Sequence, residues 1–200
     1  FAGVLVLGGV MSANDDAIYP AFAPMRQLLR EFHTEDKALL GICLGAQILA
    51  RCFGREVRRH KALEIGYVPL AITEKGKQDP LLAGLPDKQW IMEYHEDTFD
   101  LPTEAVQLMK GEACANQAFR VGRATYGFQC HFEATPEVIE TWIETSRQGL
   151  VKHLGDRVAE TLDQLRKDLT TRADAQRKFA EAVSDRWLDL AERRQAPVPA

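Results

Sequence analysis

The sequence predicts an α/β fold, a twisted sheet with parallel pairing at its start and helices packed against it. Three observations carry that prediction. Apolar runs of strand length recur from Val4 to Phe132. The first two alternate with segments of helical period, a strand–helix–strand–helix opening of the kind that builds a partly parallel sheet. From Pro136 onward the pattern is helical.

Val4-Leu5-Val6-Leu7 reads as the first strand, with no polar residue or turn leading into it. Ile18, Phe22, Met25, Leu28, Leu29 and Phe32 recur at steps of three and four and predict a helix before the second strand, 38–42. Ile48, Leu49 and Cys52 or Phe53 mark the next helix, which Gly54 is placed to end in a left-handed conformation. The runs 65–72, 90–92, 106–109, 118–121 and 126–132 predict further strands, with a hairpin turn at Arg120-Val121-Gly122-Arg123 and antiparallel pairing in this middle region. Thr135 is placed to cap a helix that starts at Pro136. Val138, Trp142 and Leu150 line one face of that helix, and Gly155 breaks the pattern. Val158, Leu162, Leu165 and Leu169 continue it, and Thr171 with Asp174 predicts the cap of a last helix carrying Phe179, Val183 and Trp187. Trp142 and Trp187 read as packing anchors, and 196–200 as a frayed tail.

Composition narrows the function. The 200 residues carry a net charge of -4, so no overall basic field exists to collect nucleic acid or an anionic membrane. No apolar run reaches the roughly 18 residues that span a bilayer. The apolar start lacks the basic flank and cleavage pattern of a signal peptide. Four cysteines, Cys43, Cys52, Cys114 and Cys130, form no Cys-x-x-Cys pair, which leaves a zinc knuckle or thioredoxin motif unsupported and fits a reduced, cytoplasmic protein. Cys52, Cys114 and Cys130 read as apolar filler.

Cys43 reads differently. Gly41-Ile-Cys-Leu-Gly45 joins an apolar strand to a helix, with glycines two residues either side of the cysteine, as in a nucleophile elbow. Such a turn holds the central side chain above the sheet edge, and the N-terminus of the following helix favours thiolate. On this motif alone a nucleophile and a buried structural cysteine stay equally open. A nucleophilic cysteine needs a base, and the base needs an orienting group. His33, His60 and His153 read as surface residues. His131 sits at the end of an apolar run just before a helix, and Glu133 two residues on falls on the same face of an extended chain.

Together these motifs resemble the class I (triad-type) glutamine amidotransferases, whose pattern Gly-x-Cys-x-Gly-x-Gln followed by Gln-x-His-x-Glu is met by Gly41–Gln47 and Gln129–Glu133. Phe132 stands where the family often has proline, and Cys130 where it tends to have an aromatic; neither change removes a reacting group. Leu7-Gly8-Gly9 resembles the family's first glycine turn, particularly in the branch similar to the glutaminase domain of guanosine-monophosphate synthetase. Tyr94-His95-Glu96-Asp97, before Leu101-Pro102, resembles the loop that lies along bound glutamine. The resemblance implies catalytic Cys43, His131 and Glu133, oxyanion donors at Gly9 and Leu44, and substrate contacts from Gln47, Tyr94 and His95. It implies a three-layer, mostly parallel twisted sheet flanked by helices, flavodoxin-like, and runs from about Phe1 to Glu133. The α/β domain is expected over residues 1–153, and the helical pattern predicts 154–200 as an extension packed on the same domain. The resemblance also implies a strand, a helix and a second strand ahead of the Gly-Gly turn, so Phe1 is expected to enter a third strand and the sheet to have an open edge near Val4-Leu7.

The activity implied is hydrolysis of the glutamine side-chain amide, with no metal or cofactor required and ammonia passing to a partner synthetase in trans. A free-standing hydrolase of other γ-glutamyl compounds, or a non-catalytic binding module on the same fold, are the alternatives. No nucleic-acid or membrane partner is expected, and the oligomeric state is open.

Overall fold

The computed structural model describes residues 1–193, so the tail expected at 196–200 lies outside the described residues. In chain order the elements are β1 (Gly3–Val6), α1 (Phe22–Thr34), β2 (Ala38–Ile42), α2 (Leu44–Cys52), β3 (Val57–Ile72), β4 (Lys88–Phe99), β5 (Val106–Lys110), β6 (Ala118–Val121), β7 (Thr125–Phe128), α3 (Pro136–Thr145), α4 (Arg147–Leu154) and α5 (Val158–Arg193). The strands form one sheet in the order β1-β2-β7-β6-β5-β3-β4.

The expected mostly parallel sheet is a mixed one. β2 pairs in parallel with β1 and with β7, whereas β7–β6, β6–β5, β5–β3 and β3–β4 are all antiparallel. A parallel pair needs a crossover, which α1 supplies between β1 and β2; the middle of the chain carries no α-helix between strands and pairs antiparallel. β1 is an edge strand, and Leu5 on it is exposed.

Three layers follow from which face each strand residue serves. Leu39 packs with Phe22, Leu29 and Phe32 of α1 and Ile48 and Leu49 of α2. Its neighbours Leu40 and Ile42 pack on the opposite side with Tyr126, Phe128 and the α5 residues Phe179, Val183 and Trp187. β2 is therefore buried at every position, as a central strand covered on both faces must be. Truncating Phe179 would remove an anchor of the kind worth about 3–5 kcal/mol. Among the described residues, no helix is long and apolar enough to cross a membrane.

Four expectations change. α1 begins at Phe22, leaving Ile18 exposed in the turn before it. The cap expected at Thr171 is absent: α5 runs unbroken, and the Thr171 hydroxyl donates back to the Lys167 carbonyl. Nothing in 158–193 breaks a helix, and its apolar stripe continues through Leu165, Phe179 and Val183 across two core clusters. Tyr94–Asp97 is strand rather than loop, held by pairing of Ile65 with Tyr94, Glu64 with His95 and Arg59 with Asp97. Finally, α3 buries Ile139 and Ile143, not Val138 and Trp142. Thr135 does cap that helix, accepting from the Val138 amide.

Candidate active site

β1, β2 and β7 run parallel, so their carboxyl ends lie on one side, and the chain leaving each delivers part of one cavity. After β1 come Leu7, Gly8 and Gly9; after β2 comes Cys43; after β7 come His131 and Glu133. Such a crevice at strand ends is where open α/β sheets bind ligands.

Cys43 is the residue before α2 and has φ 51°, ψ -106°, a left-handed conformation that side-chain-bearing residues rarely adopt. The turn is sharp enough that its flanking glycines are steric necessities. A β-carbon on Gly41 would lie 2.5 Å from the Gly45 carbonyl carbon, and one on Gly45 would overlap the Val6 carbonyl oxygen of β1. Strand, elbow and helix are thus packed backbone against backbone, which fixes where the sulfur sits. The first amides of α2, beginning with Leu44 directly after Cys43, have no partner within the helix.

His131 donates from Nδ1 to Glu133 Oε1 at 2.8 Å. The expected geometry differs in one respect: β7 ends at Phe128, and the two residues meet in the turn beyond it rather than along an extended strand. That turn is tied down by the His131 amide, which donates to the Met92 carbonyl on β4. Gln176 of α5 also holds it, accepting from the Met92 amide and donating to the Ala134 carbonyl. Burial by itself disfavours the imidazolium, but the Cys43 sulfur and the Glu133 carboxylate beside the ring outweigh it and push His131 up to about 10. Cys130, next to it in sequence, is fully buried, and burial pushes its thiol up so that it stays protonated and unreactive.

Gly8 belongs to this arrangement in a way the sequence does not reveal. A β-carbon there would lie 2.7 Å from His131 Cε1 and 3.4 Å from Cys43 Cβ. The ring cannot retreat freely, because Glu133 holds one side and Trp142 meets its edge at a centroid distance of 4.8 Å. Gly8→Ala is therefore expected to lower kcat/KM about tenfold to a hundredfold through a displaced imidazole. Because Gly8 is exposed, its thermal midpoint should stay close to wild type; parallel kinetics and melting curves check both halves of this expectation.

A chain of hydrogen bonds leads from the sulfur to a buried acidic cluster. Gln129 Nε2 lies 3.6 Å from Cys43 Sγ, and its Oε1 accepts from Gln47 Nε2. Gln47 Nε2 also donates to the Asp97 carbonyl, which accepts from His95 Nδ1 at 2.9 Å. His95 Nε2 donates to Glu64 Oε2 at 2.9 Å, with Glu93 Oε2 at 3.3 Å. Pairing across β3 and β4 puts Glu64 opposite His95, and the two-residue strand period puts Glu93 on the same face. Both ring nitrogens face oxygens that can only accept, so His95 is held as imidazolium; burial opposes the charge, but Glu64 and Glu93 outweigh it and raise the ring well above its ordinary value. Burial pushes the Glu93 carboxyl up to about 7. His95 thus lines the cavity with both nitrogens already engaged, and its expected contact with substrate would come from ring carbon rather than a polar atom.

Of the other expected residues, Gly9, Gln47 and Tyr94 line the cavity, and Tyr94 donates its hydroxyl to Ser146. His153 is exposed, as expected, and reaches Glu96 at the cavity wall at 2.6 Å. Trp142, expected to pack, packs against the cluster around Ile139 and Ile143 and also lines the cavity, as does the more exposed Val138. Glu64, His95 and Cys114 are the one grouping among the described residues whose donor atoms lie close enough to hold a metal, within 4.8 Å of one another. Glu64 and His95 already bond each other there, and Cys114 Sγ lies 3.3 Å from the Thr98 hydroxyl.

Comparison with known proteins gives a consistent result. The family model described as glutamine amidotransferase class-I matches residues 1–146. The glutamine amidotransferase-like protein YfeJ of Salmonella typhimurium is 31% identical over 169 residues, which cover 83% of this chain and 71% of that protein. One of the subunits of the glutamine-hydrolysing GMP synthase of Pyrococcus abyssi is 33% identical over 117 residues, 58% of each chain. Among solved structures, a glutamine amidotransferase from Thermotoga maritima matches with a TM-score of 0.80 and 29% identity over 94% of this chain and 79% of that one. The glutamine amido transferase of Methylobacillus flagellatus matches with a TM-score of 0.85 and 31% identity, covering 94% and 76% respectively.

Proposed function

This chain belongs to the class-I glutamine amidotransferase family, and from that premise we propose that it hydrolyses the side-chain amide of glutamine through Cys43, His131 and Glu133 and releases ammonia. One observation carries the reading: a cysteine in a strained elbow and a carboxylate-held histidine face each other in a single cavity. Packing alone requires none of these three groups to meet.

In the proposed reaction the Cys43 sulfur attacks the γ-carbonyl as thiolate, forming an S–C bond. The Leu44 and Gly9 amides receive the oxyanion, each donor contributing about 3 kcal/mol to the transition state. The C–N bond then breaks as His131 gives its proton to the departing ammonia. His131 next takes a proton from water, which adds to the thioester and displaces Cys43 to leave glutamate. Glu133 holds the ring in the orientation both steps need. The match to one component of a glutamine-hydrolysing GMP synthase supports a partner synthetase in trans as the destination of the ammonia.

The test is a coupled assay for glutamate and ammonia from glutamine, repeated after treatment with a glutamine-like chloroketone. Turnover, its loss on treatment and a single adduct mapped to Cys43 support the reading; no turnover with Cys43 unmodified sinks it.

The histidine also makes a pH prediction. With His131 raised to about 10, the imidazolium that protonates the leaving amine persists to that pH, so kcat/KM should fall only as pH rises through about 10. Removing the Glu133 charge takes away one of the two groups that raise it, and the alkaline limb of Glu133→Gln should move to lower pH. Its maximal kcat should drop on the order of a hundredfold. A limb left in place would show that Glu133 does not act through His131.

A further inference from the structure

The cavity holding Cys43 has a volume of about 610 Å³, a size that suits a drug-sized ligand rather than a small amino acid alone. Its lining mixes charged and apolar groups. Arg59 pairs with Glu96, and Ser12 donates to Asp97 at 2.8 Å. Asp97 connects to the nucleophile through Gln47 and Gln129. Leu63, Val138 and Trp142 give an apolar and aromatic stretch of the wall, with Thr145 and Ser146 also lining the cavity. That stretch meets the histidine directly, since the Trp142 ring stands edge-on to His131 and is in turn backed by Tyr94.

α3 divides its side chains between the core and this cavity. Its buried face is Ile139 and Ile143, which pack with Leu150, Leu162 and Leu165. Val138 and Trp142, one helical turn apart, both line the cavity; Trp142 also packs against that cluster, whereas Val138 is 40% exposed.

The direction of the chemistry decides what that wall would meet. In amide cleavage by the Cys43 sulfur, the leaving nitrogen must lie against the histidine that protonates it. Any carbon group on that nitrogen projects past His131, and the surface there is Trp142 and Val138. We infer that the site takes γ-glutamyl amides whose nitrogen bears an aromatic or apolar substituent, with Leu63, Val138 and Trp142 as the amine-side wall. This inference rests on the Cys43 thioester chemistry proposed above. The cleavage is a hydrolysis: the S–C bond forms as the C–N bond breaks, the amine leaves with the proton from His131, and water releases glutamate.

The experiment compares kcat/KM for glutamine, γ-glutamylethylamide, γ-glutamylbenzylamide and γ-glutamyl-p-nitroanilide with the whole protein. The benzylamide and anilide are expected to exceed glutamine about tenfold or more, as burial of an aromatic ring allows. Val138→Asp and Trp142→Ala should lower that ratio at least tenfold, because a charge or a gap replaces the wall. Val138 is exposed, so its variant keeps the core intact; the ratio of two substrates on one variant also cancels any loss of folded protein. Turnover of glutamine with no gain for aromatic amides, or a ratio unmoved by both variants, overturns the inference while leaving the glutaminase reading in place. If no substrate in the series is cleaved and the chloroketone leaves Cys43 unmodified, the underlying reading fails with it.

Discussion

Cys43→Ala is expected to abolish glutamate release, a loss on the order of 10⁴-fold or more, with the fold unchanged. The size follows from the proposed mechanism: without sulfur no thioester can form, and His131 would have no nucleophile to serve. Stability should behave differently from activity at this position. Cys43 adopts φ 51° with a β-carbon present, a conformation that costs about 1–3 kcal/mol. Cys43→Ala keeps that strain, so its melting temperature should match wild type. Cys43→Gly relieves it, and this inactive variant should be about 1 kcal/mol more stable than the parent. Measuring glutaminase activity and thermal midpoints for the two variants tests both statements. An active Cys43→Ala protein would end the assignment of the nucleophile, and a destabilised Cys43→Gly protein would end the claim that the elbow is held under strain.

The second large effect is on stability. Gly45→Ala is expected to destabilise by about 3 kcal/mol or more, lowering the melting temperature by roughly 6–12 °C. The added carbon would overlap the Val6 carbonyl oxygen, which is backbone of β1 and cannot turn away as a side chain would. To make room, β1 and α2 would have to separate, and this would also shift the Leu44 amide that starts the helix. The control is Gly149→Ala, on the exposed face of α4, where an added carbon meets nothing within 4 Å. That change should raise stability by about 0.5–1 kcal/mol, since glycine weakens a helix interior. Equal effects at the two glycines would mean that close packing at the elbow is not what requires Gly45.

These contrasts show where the sequence is informative and where it is not. Most elements are legible because each carries a local signal. The β2 run is apolar at every position, Thr135-Pro136 opens α3, and the glycines around Cys43 can be seen without knowing what they touch. The polar stretches of the β3–β4 hairpin are not legible. Arg58, Arg59 and His60 carry no apolar alternation, and 57–59 are strand only because Asp97, Thr98 and Phe99 lie opposite them. Tyr94–Asp97 reads as loop for the same reason. Thr171 reads as a helix cap because capping chemistry is local, whereas α5 stays continuous through the packing of Leu165 and Phe179 on either side of it.

The sequence by itself pointed to the proposed reacting groups, because nucleophile, base and carboxylate are residue types that the chemistry demands and the order Cys43, His131, Glu133 is printed in the chain. Tertiary structure alone decided everything set by distance between segments remote in sequence. It made Gly8 the space that His131 occupies, and it took both His95 nitrogens away from the cavity and gave them to Glu64 and the Asp97 carbonyl. It made Val138 and the packing residue Trp142 part of the wall of the cavity. Periodicity says which residues share a face of a helix; only the sheet and the neighbouring helices say what that face meets.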